Sequence, residues 1–407
     1  MKLRMISPTR RLGERVSPNM SMNESHALTT RLPTTIILPA TRPSPPSIMP
    51  PTRKSRDTLP STLATCHLLL ATPPSSFMHT LSLPTPFPVG PVNVYLLDGP
   101  STSSGQASLT LVDCGPKTPE ALAALESGLA LHGKRIEDIR QLVLTHHHAD
   151  HVGLTNVIVG RSGAVVLSHP YNIPYLADYE TERLRHLPFY EEIWAQGGVP
   201  AEIIGVMEKS GRGMTRWHEP MKVTRTVDEG DIITAGGAEW RVYHTPGHSG
   251  GLICLFNEST RELLSNDHLL PDITSNAVME PPPLGGAGGP RPKRLVEYIH
   301  HMQRIADLDP VIAYPGHGDL IHNARELVRK RIAFHRRRAD KIYAALCDRP
   351  LTLWEIVQPT FPKLSHGMDF FLAHSEIMGH LDILVDDGRV EAVEDGRLVR
   401  WRAKGNS

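Results

Sequence analysis

Regular alternation of hydrophobic and polar positions begins near residue 79. The runs VNVYLLD (Val92–Asp98) and SLTLVDCG (Ser108–Gly115) are short, β-rich and closed by turn residues, as strands are. TPEALAALESGLALHG follows with helical spacing: Thr118 is placed to cap it, Pro119 takes the first helical position and Gly133 lies past its end. QLVLT then predicts a strand ending at Thr145, and AVVLSH (Ala164–His169) another after a short helical stretch. Residues 172–219 are helical in pattern, and 221–268 return to strands in KVTRTVDEGDII, EWRVYHTPGH, GLICLFN and ELLSND. From Arg291 the helical period resumes, broken by VIAYPGHG (Val311–Gly318). Two β-rich halves, each with helices, predict an α/β fold of two packed sheets with helices outside.

The last 70 or so residues read as a separate unit. A helix over about 322–347 precedes a short one in LTLWEIVQPTF and a longer one in MDFFLAHSEIMGHLDILVDDG. GRVEAVEDGRLVRW then forms two alternating strands joined by Asp395-Gly396, a hairpin signal. Three helices and a hairpin are the plan of a small winged-helix domain, so the expected boundaries are 79–330 for a catalytic domain and 331–407 for a winged-helix-like one.

Composition changes the picture mainly at the N-terminus. Residues 1–78 carry ten Lys/Arg, three Asp/Glu and 12 of the 36 prolines, with no sustained period. Such a segment buries too little apolar surface to offset chain entropy and is expected to be a disordered leader. It reads either as a targeting peptide or as a stretch ahead of a true start at Met78. The remainder carries 33 basic and 40 acidic side chains, so the folded part is acidic. The four cysteines are far apart, which speaks against a disulfide framework and against a cysteine-based zinc site. No run nears the roughly 18 apolar residues that span a bilayer. A soluble, cytoplasmic protein without a membrane partner is expected; its oligomeric state is not indicated.

Chemistry concentrates in THHHADH (Thr145–His151). Alternate side chains of an extended chain share a side, so His146 and His148 can converge on one ion while His147 points elsewhere. If a helix begins near Ala149, Asp150 and His151 occupy its first turn and face a neighbouring ion. Three further donors stand after β-rich runs beside Gly, Pro or Asn: His248 in TPGHSGG, Asp267 in LLSND and His317 in PGHG. The count closes for two ions. His146, His148 and His248 serve one, Asp150, His151 and His317 the other, and Asp267 both, leaving room between them for hydroxide. Imidazole and carboxylate without thiolate suit Zn²⁺ first, with Fe²⁺ or Mn²⁺ as alternatives. His147, His244 and His268 are expected to pack rather than ligate.

LVDCG, THHHADH, TPGHSGG, LLSND and PGHG together resemble the metallo-β-lactamase superfamily over about residues 80–320. The resemblance implies an αβ/βα sandwich with a two-metal site at one edge of its sheets. It also implies that Asp113 fixes a ligand histidine through the other ring nitrogen. The C-terminal unit resembles that of the β-lactamase-like protein 2 subgroup.

Hydrolysis is the expected reaction, with Asp150 the best group to orient the attacking water and accept its proton. An ester or thioester in a small molecule, as in glyoxalase II, is the first reading, although glutathione-binding helices are not evident. Single-stranded RNA is the alternative, because ARELVRKRIAFHRRRADK carries eight Lys/Arg against two acids. A non-enzymatic winged-helix DNA-binding regulator is the least favoured alternative, because the helix at 368–387 has Asp369, Glu376, Asp382, Asp386 and Asp387 but no Lys or Arg, and no DNA partner is expected. That helix is expected to pack on the catalytic domain or on a second subunit. MEPPPLGGAGGPRP (Met279–Pro292) reads as a mobile flap or a surface linker, and Tyr171 and Asn276 fall near the metal-bearing edges.

Overall fold

The structure is a computed structural model that describes residues 77–101, 107–282 and 290–405. The expected leader lies outside them, except that Met78 already opens the first strand, one residue earlier than the pattern suggests.

The chain order is β1 (Met78–Leu83), β2 (Val92–Ser101), β3 (Ala107–Val112), α1 (Pro119–Leu131), β4 (Ile139–Leu144), α2 (Ala149–Val152), α3 (Thr155–Ser162) and β5 (Val165–Ser168). A helical insert follows, α4 (Ile173–Ala177), α5 (Tyr179–Gln196) and α6 (Ala201–Met214). Then come β6 (Arg225–Thr226), β7 (Ile232–Ala235), β8 (Ala238–His244), β9 (Ile253–Asn257), β10 (Glu262–Asn266), α7 (Arg294–Asp307) and β11 (Ile312–Pro315). The chain closes with α8 (Ala324–Asp348), β12 (Leu351–Thr352), α9 (Leu353–Thr360), α10 (Gly367–Asp386), β13 (Val390–Asp395) and β14 (Leu398–Ala403).

β1 to β6 form one sheet in sequence order, and β11-β10-β9-β8-β7 form a second. Alternation along the strands builds the layers. In β2, Tyr95 and Leu97 face the second sheet while Val94 and Leu96 face the layer that holds Ala121, Leu125 and Leu129 of α1. In β9, Ile253 and Leu255 face the first sheet while Cys254 and Phe256 face α7 and the C-terminal helices. Both sheets are therefore covered on both faces, which is the αβ/βα sandwich. Thr118 caps α1, its hydroxyl accepting from the Ala121 N–H at 3.0 Å, as its spacing predicts.

The C-terminal elements share this core. One buried cluster joins Leu252 and Cys254 of the sheet side, Met302 of α7, Ile342 of α8, Val357 of α9 and Leu381 of α10. The expected boundary at 330/331 falls within the uninterrupted α8. LTLWEIVQPTF is only partly helical, since Leu351 and Thr352 pair with Trp401 and Arg400 of β14 before Thr352 caps α9.

The acids of α10 have identifiable partners. Asp382 pairs with Arg291, Asp386 with Lys293, Asp387 with Arg336 and Glu376 with Arg338, while Asp369 accepts the His366 N–H at the helix start. The helix thus packs within its own chain, complementary in charge to α8 and the approach to α7. Among the described residues no helix is long and apolar enough to cross a membrane.

Candidate metal centre

The parallel strands β3, β4, β10 and β11 end at one edge of the sandwich, the place where α/β sheets gather ligands. Asp113 follows β3, His146 to His148 follow β4, Asp267 follows β10 and His317 follows β11. His248 enters from the turn between β8 and β9. Two non-glycine residues with left-handed backbone mark this edge: Asp113 at φ 58° and Asn266, just before Asp267, at φ 43°.

The Thr145 hydroxyl donates to Asp113 Oδ2 (2.8 Å), so its oxygen accepts from His146 Nδ1 (3.1 Å) and His146 Nε2 is left bare. His248 Nδ1 donates to the Asn276 carbonyl (2.9 Å), so His248 Nε2 is bare as well. Both nitrogens converge on His148 Nδ1, at 3.1 and 2.9 Å. Three imidazole nitrogens therefore meet with at most one proton among them, an arrangement that a cation satisfies.

The second set repeats the logic. His151 Nδ1 donates to Asp113 Oδ2 (2.8 Å) and His317 Nδ1 to the Pro91 carbonyl (2.8 Å). Their Nε2 atoms, like Asp267 Oδ1, are buried without a hydrogen-bond partner among the described residues. Asp150 Oδ2 lies 3.4 Å from His317 Nε2 and 3.9 Å from His151 Nε2. Asp267 stands between the sets: Oδ2 is 3.5 Å from His248 Nε2 and 3.7 Å from His317 Nε2, and Oδ1 is 3.4 Å from His151 Nε2. Burial pushes His146 and His148 below the ordinary histidine range, with neighbouring imidazoles adding to the shift. Burial also acts downward on His151, but the carboxylates of Asp267, Asp150 and Asp113 outweigh it and raise the group.

These donors fit two divalent cations: neutral imidazoles converge on one side, carboxylates and imidazoles on the other, and the orphaned atoms point inward. Among the described residues no cysteine belongs to either set: the Cys114 thiol donates to the His151 carbonyl and the Cys254 thiol to the Ser265 carbonyl, and burial pushes both up to about 12.

All seven expected ligand residues and Asp113 meet at this edge. His147 turns away, its ring stacked on Tyr175 (3.9 Å) with Nδ1 at 3.3 Å from Asn172. His244 stacks on His169, and His268 is buried against Tyr298. Tyr171 is not part of the cluster; its hydroxyl lies between Glu280 and Arg294. Of Met279–Pro292, expected to be a mobile flap or a surface linker, the first two residues are held in place. Tyr190 donates to the Met279 carbonyl, and Glu280 is buried against Arg294, Tyr171 and the Gly250 N–H. Residues 283–289 of that stretch lie outside the described ones. Sequence reasoning missed Thr145, Ser275 and the carbonyls of Pro91 and Asn276, which orient ring nitrogens. Only Thr145, adjacent to the histidine run, carries a side chain that could have signalled its role.

Fold and site together define a metal-dependent hydrolase of the two-sheet αβ/βα type. Residues 87–317 match the model of the Metallo-beta-lactamase superfamily, and the chain belongs to that superfamily. It is 35% identical over 322 residues to the probable metallo-hydrolase YqjP of Bacillus subtilis, covering 79% of this chain and 96% of that one. A beta-lactamase-like protein 2 homolog of Caenorhabditis elegans is 28% identical, over 65% of this chain and 68% of its own. An atrochrysone carboxyl ACP thioesterase of Aspergillus fumigatus is 27% identical, over 37% and 43% respectively. Among solved structures, a metallo-beta-lactamase family protein of Thermus thermophilus superposes with a TM-score of 0.66 at 27% identity, over 81% of this chain and 99% of that one.

Proposed function

We propose that this hydrolase cleaves an ester or thioester in a small-molecule substrate. His146, His148 and His248 would hold one divalent ion, most suitably Zn²⁺, and Asp150, His151 and His317 the other, with Asp267 reaching both. The observation that carries the reading is the position of Asp267, whose two oxygens face histidines of both sets.

Two such ions, when bound, acidify water and polarise the scissile carbonyl. The chain's own residues do the rest. Asp113 accepts from the Thr145 N–H and hydroxyl and from His151 Nδ1, locking two neighbouring ring orientations through one carboxylate. Asp150, in the first turn of α2, has a side chain that is 14% exposed, while that of His151 is fully buried. Asp150 is positioned to orient water and take its proton. The thioesterase relative supports an acyl substrate.

Charge argues against a nucleic-acid backbone. Of the eight basic side chains in 324–341, six have partners: Arg325, Arg329, Lys330, Arg336 and Arg338 meet carboxylates, and Arg331 donates to the Leu270 and Pro271 carbonyls. The C-terminal unit serves, in this reading, as scaffold rather than as a nucleic-acid reader. One preparation assayed on S-lactoylglutathione, a simple aryl ester and single-stranded RNA separates the cases. Thioester or ester turnover lost in Asp150→Ala, with the fold retained, is expected; RNA cleavage alone would overturn the substrate assignment.

A further inference from the structure

We infer that the C-terminal helices α8 and α10 position the metal-facing nitrogen of His248, acting through residues 274–276; the inference rests on the proposed ligand role of His248. The His248 Nδ1 proton lies between the Asn276 carbonyl (2.9 Å) and the Ser275 hydroxyl (2.8 Å). Both acceptors belong to a segment without helix or strand, so something else must hold it. Asn276 Nδ2 donates to the Leu372 carbonyl of α10 (3.2 Å), and the Thr274 hydroxyl meets His335 Nε2 of α8 (3.1 Å).

The direction of this second chain follows from its far end. His380 Nδ1 faces the Glu376 carbonyl at 2.7 Å and must donate to it. Burial holds His380 and His335 neutral, at about 4 and about 3. His380 Nε2 is therefore bare and accepts from His335 Nδ1 (3.3 Å), which leaves His335 Nε2 to accept from the Thr274 hydroxyl. In the series Thr274, His335, His380, Glu376 carbonyl each proton faces an acceptor in turn, and the Tyr298 hydroxyl also neighbours the Thr274 hydroxyl at the near end. His335 is 2% exposed and His380 fully buried, so water does not compete. The frame is rigid as well. A Cβ on Gly379 would stand 2.6 Å from Leu295 Cβ, so α10 lies against α7 closer than any other residue would permit. His335, Thr274 and Asn276 are thus positioning residues, and the C-terminal unit is part of the metal centre's support.

The test uses the full chain with Thr274→Val, which keeps the shape and removes the hydroxyl, together with His335→Ala and His335→Gln. The glutamine amide reaches where Nε2 stands and can accept the same bond. Two readouts apply: ¹⁵N shifts of the His248 ring in metal-free protein, and titration with Co²⁺ followed by its d–d absorption. Wild type should show an Nδ1-protonated ring. Thr274→Val and His335→Ala should show mixed tautomers and bind Co²⁺ about 10–100-fold more weakly at the three-histidine position, with the other position within about twofold. His335→Gln should restore both. An unchanged tautomer with unchanged Co²⁺ binding in Thr274→Val, or equal weakening of both positions, overturns the inference. Wild-type protein that takes up no Co²⁺ would instead overturn the proposed metal centre, and the tautomer readout alone would then decide the positioning.

Discussion

Gly316→Ala tests the metal centre without altering any proposed ligand. The backbone at 316 does not occupy the left-handed region, so alanine is conformationally allowed. Its Cβ, however, would stand 2.1 Å from Asp267 Oδ1 and 3.1 Å from His151 Cε1. Carbon and oxygen do not approach within about 3 Å, so the carboxylate must retreat by roughly 1 Å. A misplacement of that size costs on the order of 10²-fold in a preorganised site, equivalent to about 2.7 kcal/mol. In the metal-free protein the same carboxylate can rotate cheaply, and the fold should lose no more than about 1 kcal/mol. The variant therefore separates metal binding from folding.

The assay is thermal unfolding with and without Zn²⁺, alongside metal content and hydrolysis. Saturating metal stabilises a native state by about 2.7 kcal/mol at one hundred times Kd. Wild type should gain that increment and Gly316→Ala should lose most of it, with metal-free midpoints close together. A variant that retains wild-type metal content, Zn²⁺ stabilisation and turnover would refute the assignment of Asp267 to both ions.

Asp113→Asn leaves His151 Nδ1 and the Thr145 hydroxyl without a carboxylate and should weaken metal affinity about 10–100-fold, read by competition with a chromogenic chelator. Glu280→Ala leaves the buried Arg294 guanidinium with Glu297 and the Tyr171 hydroxyl as its remaining partners and should cost about 1.5–3 kcal/mol of stability by denaturant titration. A loss under about 1 kcal/mol would mean that the pair is not buried in solution. Burial lowers His374 and His380 to about 4 in the folded protein, while the unfolded chain protonates near 6.5. The unfolded state then binds more protons below that value, so their stability contribution is full above about pH 6.5 and is lost as pH falls towards 4. Each contributes on the order of 3 kcal/mol, and chemical unfolding of metal-free protein that is flat from about pH 7 to 4.5 would contradict it.

The proposed metal ligands were legible because each carries its own chemistry and sits at a strand end marked by turn residues. Register separates His147 from its neighbours, and the structure turns its ring onto Tyr175. The orienting acceptors were hidden for the opposite reason. A carbonyl at Pro91 or Asn276 belongs to every residue, and only the fold brings it to a ring nitrogen. β12 was hidden because two residues carry no period, and its pairing with β14 depends on a strand nearly 50 positions later. Glu280 lay in a stretch whose prolines and glycines suggested mobility, yet its partner Arg294 starts α7 beyond that stretch.

The acidic α10 and the basic α8 show how one pattern admits two readings until the partner is known. Eight basic residues in eighteen suggest a surface for polyanions, and an acidic helix in the recognition position suggests a failed DNA reader. Placed together they answer one another in part: of the eight, Arg338 meets Glu376 and Arg336 meets Asp387, while Arg291 and Lys293, ahead of α7, meet Asp382 and Asp386. The more exposed of these pairs, Lys293–Asp386 and Arg336–Asp387, contribute little stability each, about 0–1 kcal/mol. They also favour this register, since opposite charges stand at matched positions along α10 and its neighbours. That register brings the Leu372 carbonyl to Asn276 and His380 to His335. The charge complementarity of α10 with α8 and with the approach to α7 thus contributes to placing the C-terminal helices beside the proposed metal centre.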